Sequence, residues 1–401
     1  METPVNGSPP RAPARVAIVA THPIQYQVPW FRALTHVPDL EPTVFFAMIP
    51  DAEQQGVGFS VPFEWDIPLL GGYRHVKLEN RARRPALGRF FGLSTPAIGA
   101  ALEGFDAVII HGWGVRSALQ ALWAARRRRI PCVLRGEASA LRPWPGWRRL
   151  AYGAFLANYS AFLAIGRANR EFYLGNGVPS ERIFDAPYCV DNDRFGTEAA
   201  ALEPQRPAMR RDWGIPDGAI AVLFSGKLIE KKRPLDLLNA LAVARNRDTR
   251  LHLLVAGDGS LRGACERRAR ELGIPATFTG FLNQGQIARA YVAADCLVLP
   301  SDYGETWGLV VNEAMACGRP AIVSDRVGCS LDLVLPDETG AVFRFGDVSA
   351  LTSAILSLAS APETLPRLGA QARERVRRHY SIQNAVAGTV AALRFAVGRI
   401  G

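Results

Sequence analysis

Two glutamates eight positions apart distinguish residues 301–325, SDYGETWGLVVNEAMACGRPAIVSD. Glu305 lies in a loop after a predicted strand, and Glu313 lies among apolar residues in a predicted helix. Burial of a carboxylate among apolar side chains is costly unless hydrogen-bond donors satisfy it. The two hydroxyls of a ribose would satisfy Glu313. A cap or pairing partner within its own domain would also do so, and the composition leaves both interpretations open.

The start of the same predicted helix suits an anion. The amides of Trp307, Gly308 and Leu309 open the helix, and the first amides of a helix have no partner within it. Because Gly308 has no side chain, an anion can approach these amides closely.

A second segment, residues 224–234, reads FSGKLIEKKRP and places Gly226, Lys227 and Lys232 after a predicted strand. A diphosphate leaving group needs cations, because negative charge accumulates on its oxygen as the bond to it breaks. A lysine cluster is also common on solvated surface. The pattern GxxxxGK[ST] of the phosphate loop is absent.

Two further turns follow predicted strands. VAGDGS contains Gly257 and predicts either a nucleotide-binding turn or only a tight strand-to-helix turn. TGFL, residues 279–282, places Phe281 and Leu282 where backbone groups could contact the edge of a base.

Continuous apolar strands alternate with helical patterns, which predicts parallel sheets covered by helices on both faces. The predicted strands are 15–20, 43–48, 107–110, 131–134, 161–165, 219–224, 251–256, 276–278, 296–299 and 321–324. The predicted helices include 29–34, 118–129, 235–245, 261–272 and 309–316. The alternation is interrupted over residues 187–207, which we interpret as a domain boundary.

We therefore expect an α/β protein with two doubly wound domains that face each other across a cleft, the usual place for a ligand in such folds. Residues 1–13 are expected to be disordered. Residues 14–195 and 196–381 would form the two domains, and a helix at about 382–401 would pack back on the first.

Composition excludes several classes of protein. The 401 residues are 48% apolar, which fits a folded chain with two cores and not a disordered or fibrous one. The net charge is +10, and residues 1–190 carry 21 basic against 14 acidic side chains. This imbalance suggests an anionic partner, such as nucleic acid, a membrane surface or a phosphorylated substrate.

The six cysteines form no CxxC or Cys/His cluster, which argues against a zinc site and a disulfide framework. We see no signal peptide and no run of 18 apolar residues. The nearest run, residues 150–166, is predicted to be a buried helix. We expect a cytoplasmic protein.

The four segments, in this order and spacing, resemble the retaining glycosyltransferases of family 4, which have the B-type fold of two Rossmann-like domains. The resemblance covers residues 15–380 and is strongest beyond Ala164. ETWGLVVNEAMACGRP matches the family's pattern of two glutamates separated by seven residues. Lys227 and Lys232 match its basic pair, with Lys227 where Arg is usual. Residues 165–195 resemble its interdomain connection, with Cys189 in place of the usual Gly.

The resemblance implies a role for each part of the donor site. Glu313 would hold the ribose of a nucleoside-diphosphate sugar, and Glu305 the hydroxyls of its sugar. Lys227 and Lys232 would bind the diphosphate together with the helix terminus. The remaining donor-site residues would be Gly226, Gly257, Phe281, Leu282, Trp307, Gly308 and Leu309. Family members keep the anomeric configuration, and the nucleotide sugar is a substrate, so no cofactor is expected.

The first half departs from the family. THPIQYQVPWF replaces its Gly-Gly loop, and Arg135-Gly136-Glu137 stands where a later strand commonly ends in His-Asp. His22, His111, Arg135 and Glu137 are therefore candidates for contacts with the acceptor or the donor sugar. A packed structural role explains His111 equally well.

Asp191 and Asp193 form a DxD pattern, which binds a metal in the other glycosyltransferase fold. Here the pattern lies in the interdomain connection, and lysines and helix amides would hold the diphosphate, so we expect no metal.

The function that the resemblance implies is transfer of a sugar to a hydroxyl of a glycan or lipid-linked glycan during synthesis of cell-surface polysaccharide or glycoconjugate. The basic region 74–149, with Trp144 and Trp147, would face the anionic inner surface of the plasma membrane. A nucleotide-sugar epimerase on the same fold is one alternative. A nucleic-acid-binding protein is another, prompted by the charge, but the chain has no recognised binding module, and no nucleic acid is expected.

Overall fold

The computed structural model describes residues 12–398 of the chain. The disorder expected for residues 1–13 concerns a segment whose first eleven residues lie outside this range.

Two parallel sheets form the frame of the described chain. The first has the strand order β3-β2-β1-β4-β5-β6-β7 and the second the order β10-β9-β8-β11-β12-β13. The strands of the first are β1 (Ala14–Ala20), β2 (Leu40–Phe46), β3 (Arg74–Lys77), β4 (Ala107–His111), β5 (Cys132–Arg135), β6 (Ala161–Ala164) and β7 (Ile183–Asp185). Those of the second are β8 (Ile220–Ser225), β9 (Leu251–Ala256), β10 (Ala276–Gly280), β11 (Cys296–Leu299), β12 (Ala321–Ser324) and β13 (Gly340–Phe343).

Helices cover both sheets. In the first half they are α1 (Val28–Leu34), α2 (Ala52–Gly56), α3 (Ile98–Ala101), α4 (Arg116–Arg127), α5 (Gly146–Leu156), α6 (Arg167–Gly175), α7 (Asn192–Leu202) and α8 (Arg206–Asp212). In the second half they are α9 (Pro234–Arg245), α10 (Arg262–Glu271), α11 (Ile287–Ala293), α12 (Leu309–Ala316), α13 (Val348–Ser360), α14 (Leu365–His379) and α15 (Ile382–Val397).

The predicted fold class is confirmed. Every residue of β8 and β9 is buried, as parallel strands between two helix layers require. The strand order reverses at β1/β4 in one sheet and at β8/β11 in the other. Ligands of doubly wound sheets bind at these switch points, beyond the carboxyl ends of the strands.

The last helix, α15, packs on the first sheet. Trp30 Nε1 of α1 donates a hydrogen bond to Thr389 Oγ1 of α15 at 3.3 Å. Gly388 permits the close approach, because a Cβ there would lie 1.9 Å from the carbonyl oxygen of Asp185. The chain therefore crosses from the first sheet to the second and back again.

The buried helix predicted over residues 150–166 is wrong. Helix α5 ends at Leu156 and strand β6 begins at Ala161. Asn158 stops the helix by donating its side-chain amide to the carbonyl of Phe155 at 2.9 Å, and Leu150 is exposed. Between residues 12 and 398, no helix combines the length and the apolar composition needed to cross a bilayer.

Candidate active site

An ion pair between Lys232 and Glu305 lies at the centre of the cleft. The two side chains are only 11% and 14% exposed. Gly226 follows β8 directly, and a Cβ at this position would lie 3.8 Å from the Lys232 ammonium. The structure thus brings together two of the residues predicted to act on the donor and the glycine predicted to lie beside them.

Lys227 points toward the first domain. Its ammonium donates a hydrogen bond to the carbonyl oxygen of Val57 at 2.8 Å. Burial lowers the pKa of Lys227, and the charges of Lys231 and Lys232 lower it further. An anion bound here would be favoured because it relieves the repulsion among these three cations. They are three of the four lysines in the chain.

Glu313 is buried in α12 and accepts hydrogen bonds from neutral groups. The Tyr291 hydroxyl donates to Oε2 at 2.5 Å and Gln284 Nε2 donates to Oε1 at 3.4 Å. The Tyr26 hydroxyl, from the loop after β1 in the first domain, lies near this carboxylate and helps to lower its pKa. Burial raises the pKa of Glu313, while these hydrogen bonds oppose the rise. The carboxylate is therefore held by donors of the second domain, and a hydroxyl of the first domain lies beside it.

Tyr291 connects Glu313 to the end of β8. Its hydroxyl lies 3.2 Å from Ser225 Oγ, and Ser225 immediately precedes Gly226. Two hydroxyl groups, those of Tyr291 and Ser225, thus connect Glu313 to the turn at Gly226. This connection lies at the β8/β11 switch point.

Gly308 is the N-cap residue of α12, and its φ of 101° lies in the left-handed region. A Cβ there would lie 3.0 Å from side-chain atoms of Leu299 and Val327. The Trp307 side chain is buried, and its Nε1 donates to Asn312 Oδ1 at 2.8 Å. Trp307 can therefore offer a ligand only its backbone.

The other predicted donor residues lie at neighbouring strand ends. A Cβ on Gly257 would lie 1.9 Å from the Gly226 carbonyl oxygen, so this glycine is required for the close packing of two turns. Its amide donates to the Gly280 carbonyl at 2.8 Å. The Leu282 side chain packs on the core of the second domain. For Gly257, the geometry favours the tight-turn interpretation.

An aromatic segment of the first domain, residues 57–66, crosses the cleft and covers Phe281; we call it the aromatic strap. The Phe63 ring lies 4.2 Å from the Phe281 ring, at 31° to it. Asn283 Nδ2 donates to the carbonyl of Glu64 at 2.6 Å, and the amide of Gly285 donates to Asp66 Oδ2 at 2.9 Å. The strap fixes the first domain over the predicted base-binding edge.

The two candidate histidines are neutral at physiological pH. Burial and the nearby Lys227 lower the pKa of His22 to about 4. Burial and Arg135 lower that of His111 to about 3. Neither histidine therefore supplies positive charge to a substrate.

Glu137 connects the first domain to the loop that carries Glu305. It accepts hydrogen bonds from the Tyr188 hydroxyl at 2.6 Å and from Thr306 Oγ1 at 2.8 Å. Arg135, two residues earlier, is buried at the end of β5. Both residues line a cavity of about 500 Å³ between the domains.

Asp191 caps helix α7. Its carboxylate accepts a hydrogen bond from the amide of Arg194 at 3.0 Å, and Asp193 lies in the first turn of the same helix. In the part of the chain that the structure describes, no three His, Cys, Asp or Glu side chains are grouped as metal ligands.

The chain is similar to known proteins over the part that contains Lys232, Glu305 and Glu313. Residues 205–375 match the family model of the group 1 glycosyl transferases. The second domain is therefore similar to the group 1 glycosyl transferases. The domain contains Lys227, Lys232, Glu305 and Glu313, and the predicted resemblance is confirmed.

Curated relatives are similar to parts of this chain. D-inositol 3-phosphate glycosyltransferase 2 of Catenulispora acidiphila is 36% identical over 213 residues, which are 50% of this chain and 48% of that protein. A GDP-mannose-dependent alpha-mannosyltransferase of Mycobacterium tuberculosis is 31% identical over 277 residues, 64% of this chain and 65% of that protein. The chain spans about half the length of most of the curated relatives it matches.

Solved structures share the whole fold. A glycosyltransferase from Rickettsia africae superposes with a TM-score of 0.75 at 14% identity, covering 96% of this chain and 99% of that one. Anabaena Alr3699/HepE, solved in complex with UDP and glucose, gives 0.68 at 16% identity, covering 94% and 99%. The predicted B-type architecture is confirmed.

Sequence reasoning missed Tyr26, Tyr291, Gln284 and the aromatic strap. Tyr26 lies within THPIQYQVPWF, the segment that departs from the family pattern. The strap is detectable as Phe59, Phe63 and Trp65 clustered in a loop, where aromatic residues need a partner surface. No sequence pattern singled out Tyr291, because a tyrosine in an apolar helix cannot be distinguished from a residue of the core.

The buried charge of Glu313 makes stability depend on pH. Its folded-state pKa is raised, so the folded state holds the proton more tightly than the unfolded chain does. The free energy of unfolding therefore falls as pH rises from the ordinary pKa through the raised one. We expect Glu313→Gln to raise Tm at pH 7, with a gain that shrinks toward pH 4. Glu171→Gln, at an exposed position, serves as the control. The account would be contradicted if the difference in Tm between Glu313→Gln and wild type were less favourable to the variant at pH 7 than at pH 4.

Proposed function

We propose that the protein is a retaining glycosyltransferase that uses a nucleoside-diphosphate sugar as donor. The observation that carries the proposal is the convergence of Lys232, Glu305 and Glu313 at the β8/β11 switch point, below the first amides of α12. The curated relatives and solved structures named above support the donor class, since their names include GDP-mannose and UDP.

Each charged group has a task in the reaction. Glu313 holds the ribose diol, and the ammonium groups of Lys227 and Lys232 bind the diphosphate. As the bond between the sugar and the diphosphate breaks, negative charge grows on the leaving oxygen and positive charge on the sugar. Lys232 stabilises the first charge and Glu305 the second. The two groups form an ion pair with each other, and a bound donor would compete with this contact.

The proposed reaction is independent of divalent metal. Two lysines and a helix terminus already supply positive charge at the diphosphate. Asp191 is engaged as the cap of α7.

The proposed acceptor is a hydroxyl of a glycan or lipid-linked glycan, which enters through the cavity beside Glu137. Thr306 connects Glu137 to the Glu305 loop, so an acceptor there approaches the donor sugar.

Lys232→Ala tests the diphosphate site. We expect Kd for the nucleoside diphosphate to rise about tenfold to a hundredfold, as loss of a charged hydrogen bond implies, while Kd for the nucleoside hardly changes. Calorimetric titration with UDP and uridine, and with GDP and guanosine, measures both. Lys77→Ala, an exposed lysine on β3, is the matched control. Equal weakening of nucleoside and nucleoside diphosphate would remove Lys232 from the phosphate site.

Glu305→Gln tests the catalytic site. The variant keeps the shape and removes the charge, so we expect kcat to fall about 10²-fold or more while the nucleoside diphosphate still binds. Initial rates are measured in excess EDTA and in Mg²⁺, and both conditions should give the same rate for wild type. A normal rate in Glu305→Gln, or a wild-type rate that requires Mg²⁺, would contradict the corresponding assignment.

The first domain is proposed to contact an anionic membrane through α5. This helix exposes Trp147 and Leu150, beside Arg149. Aromatic and aliphatic side chains that flank a basic residue suit the interface of an anionic bilayer. Cosedimentation with phosphatidylglycerol vesicles should be lost in a Trp147→Ser, Leu150→Ser double variant and retained in Val243→Ser, an exposed residue of the second domain. Unchanged cosedimentation of the double variant would remove α5 from the contact.

A further inference from the structure

The cavity of about 500 Å³ between the domains contains a buried cation, Arg135, that makes no ion pair with any residue in the described part of the chain. Arg135 is 5% exposed, and its Nε and Nη1 atoms have no hydrogen-bond acceptor among residues 12–398. The guanidinium lies 4.7 Å from the Trp30 ring and 5.0 Å from the Tyr188 ring. These rings position the cation but leave its hydrogen-bonding capacity unused. A buried cation without an acceptor is costly, so its presence in a cavity wall calls for an anion.

The nearest carboxylate does not fill this need. Glu137 accepts the Tyr188 hydroxyl on one oxygen and the Thr306 hydroxyl on the other. His111, on the same wall, is neutral because burial and Arg135 lower its pKa to about 3. Its Nε2 atom is also buried without a hydrogen-bond partner among the described residues.

The rim of the cavity adds a second cation. Arg142 is exposed and lies 4.7 Å from the Trp144 ring. The described lining has one acidic residue, Glu137, and two basic residues, Arg135 and Arg142. It therefore carries a net positive charge. Trp113, Trp144 and Tyr152 form an aromatic wall on which the apolar face of a sugar ring can pack.

We propose that this cavity binds an acceptor sugar that carries a carboxylate or a phosphate, and that Arg135 recognises the anionic group. The proposal rests on the proposed function, because it specifies the acceptor class of the same cleft. Arginine suits the task, since its guanidinium stays charged when buried and presents several donors to either anion.

Three hexoses that differ at carbon 6 test the proposal: glucose, glucuronic acid and glucose 6-phosphate. Calorimetric titration of the full-length protein, with and without UDP, measures each. We expect at least one anionic hexose to bind about tenfold more tightly than glucose, as a charged hydrogen bond to a buried arginine implies. Whether the carboxylate or the phosphate binds more tightly identifies the source of the charge.

Two variants assign the preference to Arg135. Arg135→Gln should reduce the preference for the anionic hexose over glucose to about threefold or less. Arg135→Lys, which keeps the charge, should retain part of this preference. Arg247→Gln removes the same charge from an exposed site of the second domain and should leave the preference unchanged. If Arg135→Gln does not fold, the comparison of Arg135→Lys with wild type decides.

Equal binding of all three hexoses, no binding of either anion, or an anion preference that persists in Arg135→Gln or is undiminished in Arg135→Lys would overturn the proposal. Nucleoside diphosphate binding is measured on the same samples. Its absence in wild type would contradict the proposed function, whereas its presence without anion preference would contradict only the assignment of Arg135.

Discussion

The buried carboxylate of Glu313 is the constraint on which the cleft depends. A charge in this position must be surrounded by donors, and Tyr291 and Gln284 of the second domain supply them. The hydroxyl of Tyr26 from the first domain lies near enough to help lower the pKa of the carboxyl. The position of the loop after β1 is therefore coupled to helix α12. The aromatic strap and the contact between Thr306 and Glu137 strengthen the same coupling.

The charged groups of the proposed donor site are satisfied by other groups of the chain. Glu305 neutralises Lys232, a backbone carbonyl of the strap accepts from Lys227, and tyrosine hydroxyls satisfy Glu313. Each of these contacts involves a group that a nucleoside-diphosphate sugar would provide: an anion for the lysines and hydroxyls for the carboxylates. A nucleoside-diphosphate sugar would therefore compete with contacts that the chain makes to itself. Arg135 differs, because no acceptor among residues 12–398 satisfies its Nε and Nη1 atoms.

The sequence predicted the second domain well because its strands are short, continuous apolar runs. Strands β9, β11 and β12 and helix α12 have the predicted bounds, and the two glutamates and two lysines come together at the ends of these elements. The first half was harder to predict. Residues 150–166 are mostly apolar, and the polar residue Asn158, which bonds to the last turn of the helix, lies between a helix and a strand. The positions of Tyr26 and of the strap depend on contacts between the domains, and no local sequence pattern predicts such contacts.

The central claim is that Glu313 binds the ribose diol, and it can be tested with nucleotides that lack the two hydroxyls. For whichever of UDP, GDP and ADP binds most tightly, we predict that its 2′,3′-dideoxy analogue binds wild type at least about tenfold more weakly, since the carboxylate loses its donors. In Glu313→Gln this difference should largely disappear. Equal affinities of the nucleotide and its dideoxy analogue for wild type would contradict the account.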